Sequence, residues 1–264
     1  MQTTTYQSLK FKDSKNSILD DTVVIEAPLQ ININNQPYTV VMRTPGNDLE
    51  LIRGLLFAED IYKSSQNIEV HITEEDNYSS IINCTITKDK IGKGYLNKRT
   101  LLSVSSCGIC GKKELSDIKV SGEKLANHSQ ISRQEISDMY AKMYQYQETF
   151  RASGGSHAAA VFDTSKELLT IKEDIGRHNA VDKCVGDLLE NNQLKKGKSL
   201  FVSGRVSYEI VSKAFIAKIP IIVAVSACSS LSIDFAKEFG ICLIGFSRET
   251  KMTVYSNPQY VNYE

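Results

Sequence analysis

The sequence predicts an α/β protein in two parts. The second half reads as a mainly parallel sheet covered on both faces, and the smaller first half as α+β. Three observations predict this. From Ser199 to Gly245, short β-branched strands alternate with helices, the pattern of a sheet with helices packed on it. From Thr22 to Thr87, strand-like runs and turn signals surround one helical stretch. Between the halves lies Ser105-Ser106-Cys107-Gly108-Ile109-Cys110-Gly111, whose glycines suit a loop better than the middle of a strand or helix.

Taken in order, residues 1–20 are polar and are expected to form a flexible arm. Thr22 to Ile33 reads as strand, interrupted by Pro28, and Tyr38 to Arg43 returns after the turn Asn34-Asn35-Gln36-Pro37. A helix starts at Asp48, with Leu51, Ile52, Leu55 and Leu56 at helical spacing. Ile68 to Ile72 and Ile81 to Thr87 read as strands, followed by a Gly/Lys loop and the cysteine segment. Gly122 to Gln130 is a polar connector. Ser132 and Glu135 form a capping-box pattern that opens one long helix, with Ile136, Met139, Met143, Tyr146 and Phe150 as its apolar stripe.

Beyond it come the strand Ala158 to Phe162, the short strand Leu168 to Lys172 and the polar loop Glu173 to Asn179. The next helix carries Val181, Cys184, Val185, Leu188 and Leu189 on one face, which makes Cys184 a core thiol. Strands follow at Ser199 to Val202, Ile221 to Val225, Ile241 to Gly245 and Met252 to Tyr255. Helices run over Val206 to Lys218 and Leu231 to Phe239, the latter capped by Ser229 or Ser230 and ended by Gly240. The chain divides into the arm (1–20), an N-terminal domain ending in the cysteine loop (21–130) and a C-terminal domain (131–264).

The 264 residues carry a formal net charge of zero, which argues against wholesale electrostatic binding to nucleic acid or an anionic membrane. Met1 to Ser17 lacks the apolar centre of a signal peptide. The densest apolar run, Ile219 to Ala227, is too short to span a bilayer. The six cysteines lack disulfide-scaffold density. A cytoplasmic protein with mostly reduced thiols is expected.

Four chemistries compete for Cys107 and Cys110. Zinc needs more ligands than one C-x-x-C supplies, and the four histidines are scattered. A thioredoxin-like redox centre has this spacing, although no strand-to-helix unit leads into it. A buried inert pair is disfavoured by the glycines and by Lys112-Lys113. A mobile nucleophile that accepts a group and hands it on is the fourth. The residues themselves rank it beside the redox centre, and the lysines favour the thiolate that either would need.

In the second half, Ser203-Gly204-Arg205, Ser226 to Ser230 and Phe246-Ser247-Arg248 end strands, where ligands of open parallel sheets bind. Two of these loops feed helix N-termini, which favour anions. Arg177, His178, Arg205, Arg248 and Lys251 are candidates to converge there on a phosphate-bearing ligand. There is no P-loop and no G-x-G-x-x-G. Ala159 stands two residues after His157, where a zinc deaminase needs glutamate, so deamination is not supported.

An ordered series of motifs resembles the FdhD family of formate dehydrogenase accessory sulfurtransferases. It comprises Glu26-Ala27-Pro28-Leu29, Met42-Arg43-Thr44-Pro45-Gly46, Ser105 to Gly111, Gly154 to Ala160, Glu173 to Lys183, Val202-Ser203-Gly204-Arg205, Ala224-Val225-Ser226-Ala227 and Val254-Tyr255. The resemblance covers about Glu26 to Tyr255. It implies a C-terminal three-layer α/β/α domain like cytidine deaminase, without zinc or another metal site. It also implies a homodimer. The implied activity is to accept persulfide sulfur from a cysteine desulfurase and pass it to the molybdenum bis(molybdopterin guanine dinucleotide) cofactor before that enters formate dehydrogenase.

On that resemblance Cys107 is the persulfide acceptor, with Cys110 as its partner. Phe246, Ser247, Arg248, Glu249, Thr250 and Lys251 form the cofactor-binding segment. Two departures stand out. Cys228 takes a position often held by proline, as a bystander or a second sulfur acceptor. Lys251 replaces an arginine, exchanging a bidentate fork for a point charge. A cofactor-binding chaperone with incidental thiols and a thiol–disulfide oxidoreductase are the alternatives.

Overall fold

The computed structural model describes residues 2–13, 15–96, 122–126, 130–248 and 251–263. It is a mixed α/β structure with a small β-rich N-terminal region and a C-terminal α/β region. The N-terminal residues, expected as a loose arm, pair instead as an antiparallel hairpin of β1 (Thr3–Lys12) and β2 (Lys15–Val24). Leu9 and Ile18 face each other across it and are more than half exposed.

A four-stranded sheet follows, formed by β3 (Ala27–Ile33), β4 (Gln36–Arg43), β5 (Glu69–Asp76) and β6 (Ser79–Thr85), in the order β4-β3-β6-β5. Alternate residues of β3, Leu29, Ile31 and Ile33, are fully buried. They pack with Leu51, Ile52, Leu55 and Leu56 of helix α1 (Asp48–Ala58), as period two against period 3.6 requires. Pro28 is tolerated because pairing with β6 begins only at Leu29.

In the second half, β7 (Ile131–Ser132) leads into α2 (Arg133–Gln145). The capping box is present in full: Ser132 Oγ accepts from Glu135 N, and Glu135 Oε2 accepts from Ser132 N. The single long helix expected here is two, because α3 (Glu148–Ser153) starts anew after Gln147. Its cause lies far along the chain. Glu173 accepts from the backbone N–H groups of Thr149 and Phe150, both at 2.8 Å, and so caps α3 from outside. Tyr146 and Phe150, expected in the core, are exposed at 54% and 37%.

Next come β8 (His157–Phe162), β9 (Leu168–Asp174), α4 (Arg177–Glu190), β10 (Ser199–Val202), α5 (Tyr208–Ile216), β11 (Ile221–Ala224), α6 (Ser230–Phe239), β12 (Cys242–Arg248), β13 (Lys251–Ser256) and β14 (Val261–Asn262), which pairs with β7. Six strands form one sheet in the order β13-β12-β11-β10-β8-β9. Only the β10–β11 and β11–β12 pairings are parallel, while β8 and β13 run against them and β9 pairs antiparallel with β8, so the sheet is less parallel than expected. Strand alternation makes three layers. Ala159, Val161, Leu200, Val202, Ile222 and Leu243 face α4, α5 and α6. Ala158, Ala160, Phe162, Phe201, Val223 and Ile244 face Ile136, Met139 and Met143 of α2. Among the described residues, no helix is long and apolar enough to cross a membrane.

The two regions meet where α1 lies on α4. Gly54 and Gly186 allow backbone-to-backbone approach. A Cβ on Gly54 would stand 2.7 Å from the Asp182 carbonyl carbon, and one on Gly186 would stand 2.6 Å from that of Glu50. Beside this crossing lies a fully buried ion pair, Lys183 Nζ to Asp174 Oδ2 at 2.8 Å. Lys183 also donates to Thr44 O (2.8 Å). Asp174 accepts from Thr44 N (3.1 Å), Gly176 N (2.8 Å) and Asn179 Nδ2 (2.9 Å), and Asn179 reaches Met42 O (2.8 Å). The motif pieces Met42 to Thr44 and Glu173 to Lys183 are thus the two sides of one joint. This joint fixes the start of α4 beneath the strand ends.

Candidate functional site

The strand ends carry a cavity of about 520 Å³. It opens where β10, β11 and β12 finish and antiparallel β8 starts, so His157, Ser203, Val225 and Ser247 meet at one end of the sheet. Its size is ordinary for a small-molecule site. Part of the lining is apolar and aromatic, made by Ile136, Tyr140, Tyr144, Phe150 and Met252. Tyr140 packs edge-on against Phe201 with centroids 4.8 Å apart. Its hydroxyl is buried without a hydrogen-bond partner among the described residues. Burial, and less strongly the nearby Cys228, push its pKa well up, so it stays protonated.

The rest of the lining is polar, and among the described residues its charge has one sign. Arg133, Arg248 and Lys251 contribute to it, and among the described residues no carboxylate does. In a chain of zero net charge this is a local electropositive basin suited to an anion. A backbone irregularity aims it. Phe246 has a positive φ of 50°, and the β12–β13 register shifts between Gly245 and Arg248. Such a bulge bends the strand and redirects side chains. Phe246 turns out to solvent at 47% exposure, while Ser247 is buried in the pocket wall. Arg248 Nε donates to Val225 O (3.1 Å), which tethers the guanidinium across the ends of β11 and β12. Its terminal nitrogens make no hydrogen bond to the described residues.

Of the residues expected from the sequence, Ser203, Ser247, Arg248 and Lys251 line this cavity. Gly204 and Arg177 sit behind it. A Cβ on Gly204 would lie 3.2 Å from His157 Nδ1 and 3.4 Å from Arg177 Cδ, so glycine lets the imidazole and the arginine close over the loop. Arg205 is exposed beside them. His178 goes elsewhere: it is buried towards α5, 3.1 Å from Ser207 Oγ and 3.3 Å from Glu209 Oε2. Cys107, Cys110, Glu249 and Thr250 lie outside the described residues. Reading the sequence missed Arg133, Tyr144 and His157. A histidine directly after Gly154-Gly155-Ser156 and opening a strand was the available signal.

Burial keeps the described thiols in the protonated form. It pushes Cys84, Cys184, Cys228 and Cys242 up to about 12. Thiols that remain protonated at neutral pH attack slowly. Cys228 is half-buried, near Gly245. Native-state alkylation is expected to label Cys107 or Cys110 while sparing Cys184 and Cys242, both fully buried. Rapid modification of either core thiol would contradict their packing. Among the described residues, no cluster of His, Cys, Asp or Glu has the geometry to hold a metal ion.

Comparison with known proteins agrees along nearly the whole chain. The FdhD/NarQ family profile matches residues 24–262. The sulfur carrier protein FdhD of Sulfolobus acidocaldarius is 40% identical over 254 residues, covering 96% of each chain. The protein of the same name from Streptomyces coelicolor is 37% identical, over 96% of this chain and 93% of that one. The fold matches the crystal structure of a candidate formate dehydrogenase accessory protein from Desulfotalea psychrophila, with a TM-score of 0.76 at 21% identity, covering 99% of this chain and 100% of the other. The chain belongs to the FdhD/NarQ family.

Proposed function

We propose that this protein is a sulfur carrier in the maturation of formate dehydrogenase; its relatives are named sulfur carrier proteins, and the protein of matching fold is described as a formate dehydrogenase accessory protein. The donor is a cysteine desulfurase that carries sulfur as a persulfide. Cys107 thiolate attacks the outer sulfur. A new S–S bond forms on Cys107, the donor's S–S bond breaks, and the donor leaves as thiolate. Cys110 is the second thiol of the loop.

The acceptor is the molybdenum bis(molybdopterin guanine dinucleotide) cofactor, held as a transient substrate. The observation that supports this half of the proposal is the pocket itself, whose described lining combines three cations and no carboxylate with flat aromatic side chains. Phosphates suit Arg248, Lys251 and Arg133, and ring systems suit Tyr144 and Phe150. Glu249 and Thr250 complete the segment by family resemblance. The same proposal takes the three-layer domain as cytidine deaminase-like, the working unit as a homodimer and the compartment as the cytoplasm.

Mass spectrometry after incubation with a desulfurase and cysteine tests the sulfur half. A sulfur-sized gain is expected on the peptide containing Cys107 and is lost in Cys107→Ala. An undiminished gain in that variant would move the acceptor to Cys110. Calorimetry with GDP, a fragment of the cofactor, tests the pocket half. A charge-assisted hydrogen bond contributes about 1.5–3 kcal/mol, so Arg248→Ala is expected to bind GDP roughly 10- to 100-fold more weakly while still loading sulfur. Equal GDP affinity would remove Arg248 from the site.

A further inference from the structure

His157 has a role at this pocket beyond the residues assigned so far, and it rests on the reading of the pocket as an anion site. The imidazole is the first side chain of β8 and lines the cavity. Ser203 Oγ accepts the backbone N–H of Ala158 at 2.9 Å. Its own proton is therefore free to be donated, and His157 Nδ1 lies 3.4 Å away. A serine that donates to Nδ1 leaves the single proton of a neutral imidazole on Nε2. That nitrogen makes no hydrogen bond to the described residues.

The charge state follows from the surroundings. Burial depresses the His157 pKa, and Arg177 and Arg205 depress it further, while Asp174 opposes them. Asp174 is committed to Lys183 and three backbone or amide donors. Glu173 lies behind the lining, its Oε1 accepting from Ser156 Oγ and Phe150 N. The charged side chains that line the cavity among the described residues, Arg133, Arg248 and Lys251, are cations that disfavour another positive charge. The ring is neutral at pH 7.

We infer that His157 is the pocket's neutral hydrogen-bond donor, giving its Nε2 proton to an acceptor oxygen of the bound anionic ligand. Its neighbours supply the charge, and the imidazole supplies direction without adding to the repulsion among them. Ser203 acts through it as a positioning residue.

Nitrogen-15 NMR of the histidine-labelled protein reads the tautomer directly. The expected spectrum shows His157 protonated on Nε2 alone at pH 7, with a midpoint below 6.5 and an Nε2 shift on adding GDP. An Nδ1–H tautomer, a charged ring at pH 7 or an Nε2 resonance indifferent to bound GDP would overturn the inference. Calorimetry adds the energetic test. His157→Ala is expected to weaken GDP binding about two- to tenfold, the range for one neutral hydrogen bond, and His157→Gln, which retains an N–H donor, to recover most of it. Equal affinity in His157→Ala also overturns it. Wild-type protein that fails to bind GDP at all would instead sink the pocket reading, and this inference with it.

Discussion

Gly54→Ala and Gly186→Ala are each expected to destabilise the protein by about 3 kcal/mol or more, at the upper end of overpacking effects. Overpacking usually costs less because the offending neighbour is a side chain that can rotate. Here the neighbours are backbone carbonyls, at Asp182 for Gly54 and at Glu50 for Gly186. Only separation of α1 from α4 relieves the contact, and that loosens every side chain between them. Alanine helps an isolated helix by only about 1 kcal/mol relative to glycine, so propensity cannot offset the clash. Urea unfolding measures the loss. A change below 1 kcal/mol in both variants would mean that the helices do not cross this closely.

The second large effect concerns Lys183 and Asp174. Removing one partner of a buried pair typically costs about 3–5 kcal/mol, because the other charge is left uncompensated. The two sides should differ. In Lys183→Met, Asp174 keeps donors from Thr44, Gly176 and Asn179, so a loss near 3 kcal/mol is expected. In Asp174→Asn, the ammonium keeps carbonyl acceptors at Thr44 and Glu173 but no counter-charge, and three donors lose their carboxylate. A loss near 5 kcal/mol is expected there. The double variant should lose less than the sum, since the two residues act as one unit. Strict additivity, or a Lys183→Met protein as stable as wild type, would remove the ion pair from the joint.

Much of the fold was legible where local signals decide it. Asp48 opens a helix, Ser132 and Glu135 form a capping box, and the strands of the second half stand out by their β-branched residues. Legibility failed where distant residues decide. Nothing near Gln147 marks a helix break, because the carboxylate that caps α3 belongs to Glu173. Strand direction is set by the chain's route through space, so β8 and β13 could not be told from strands that run with β10 to β12. The site divides in the same way. Ser203 follows one parallel strand and Arg248 ends another, where ligands are sought. Phe150 sits at helical spacing and so resembled core, since periodicity cannot show where a neighbouring sheet ends. His157 opens an antiparallel strand, and only the topology brings its first residue to the end where the parallel strands finish.

The end of β9 carries two consecutive carboxylates with opposite errands. Glu173 reaches to α3 and to Ser156 in the cavity wall, while its successor Asp174 reaches into the joint with the N-terminal region. Side chains of a strand alternate in direction, so adjacent residues necessarily serve opposite faces. A register slip of one position would turn both acids the wrong way at once. Gaining or losing one residue between Leu168 and Glu173 therefore uncaps α3 and strands Lys183 in the same stroke. Substitutions elsewhere in β9 can be absorbed one at a time, but its length cannot drift.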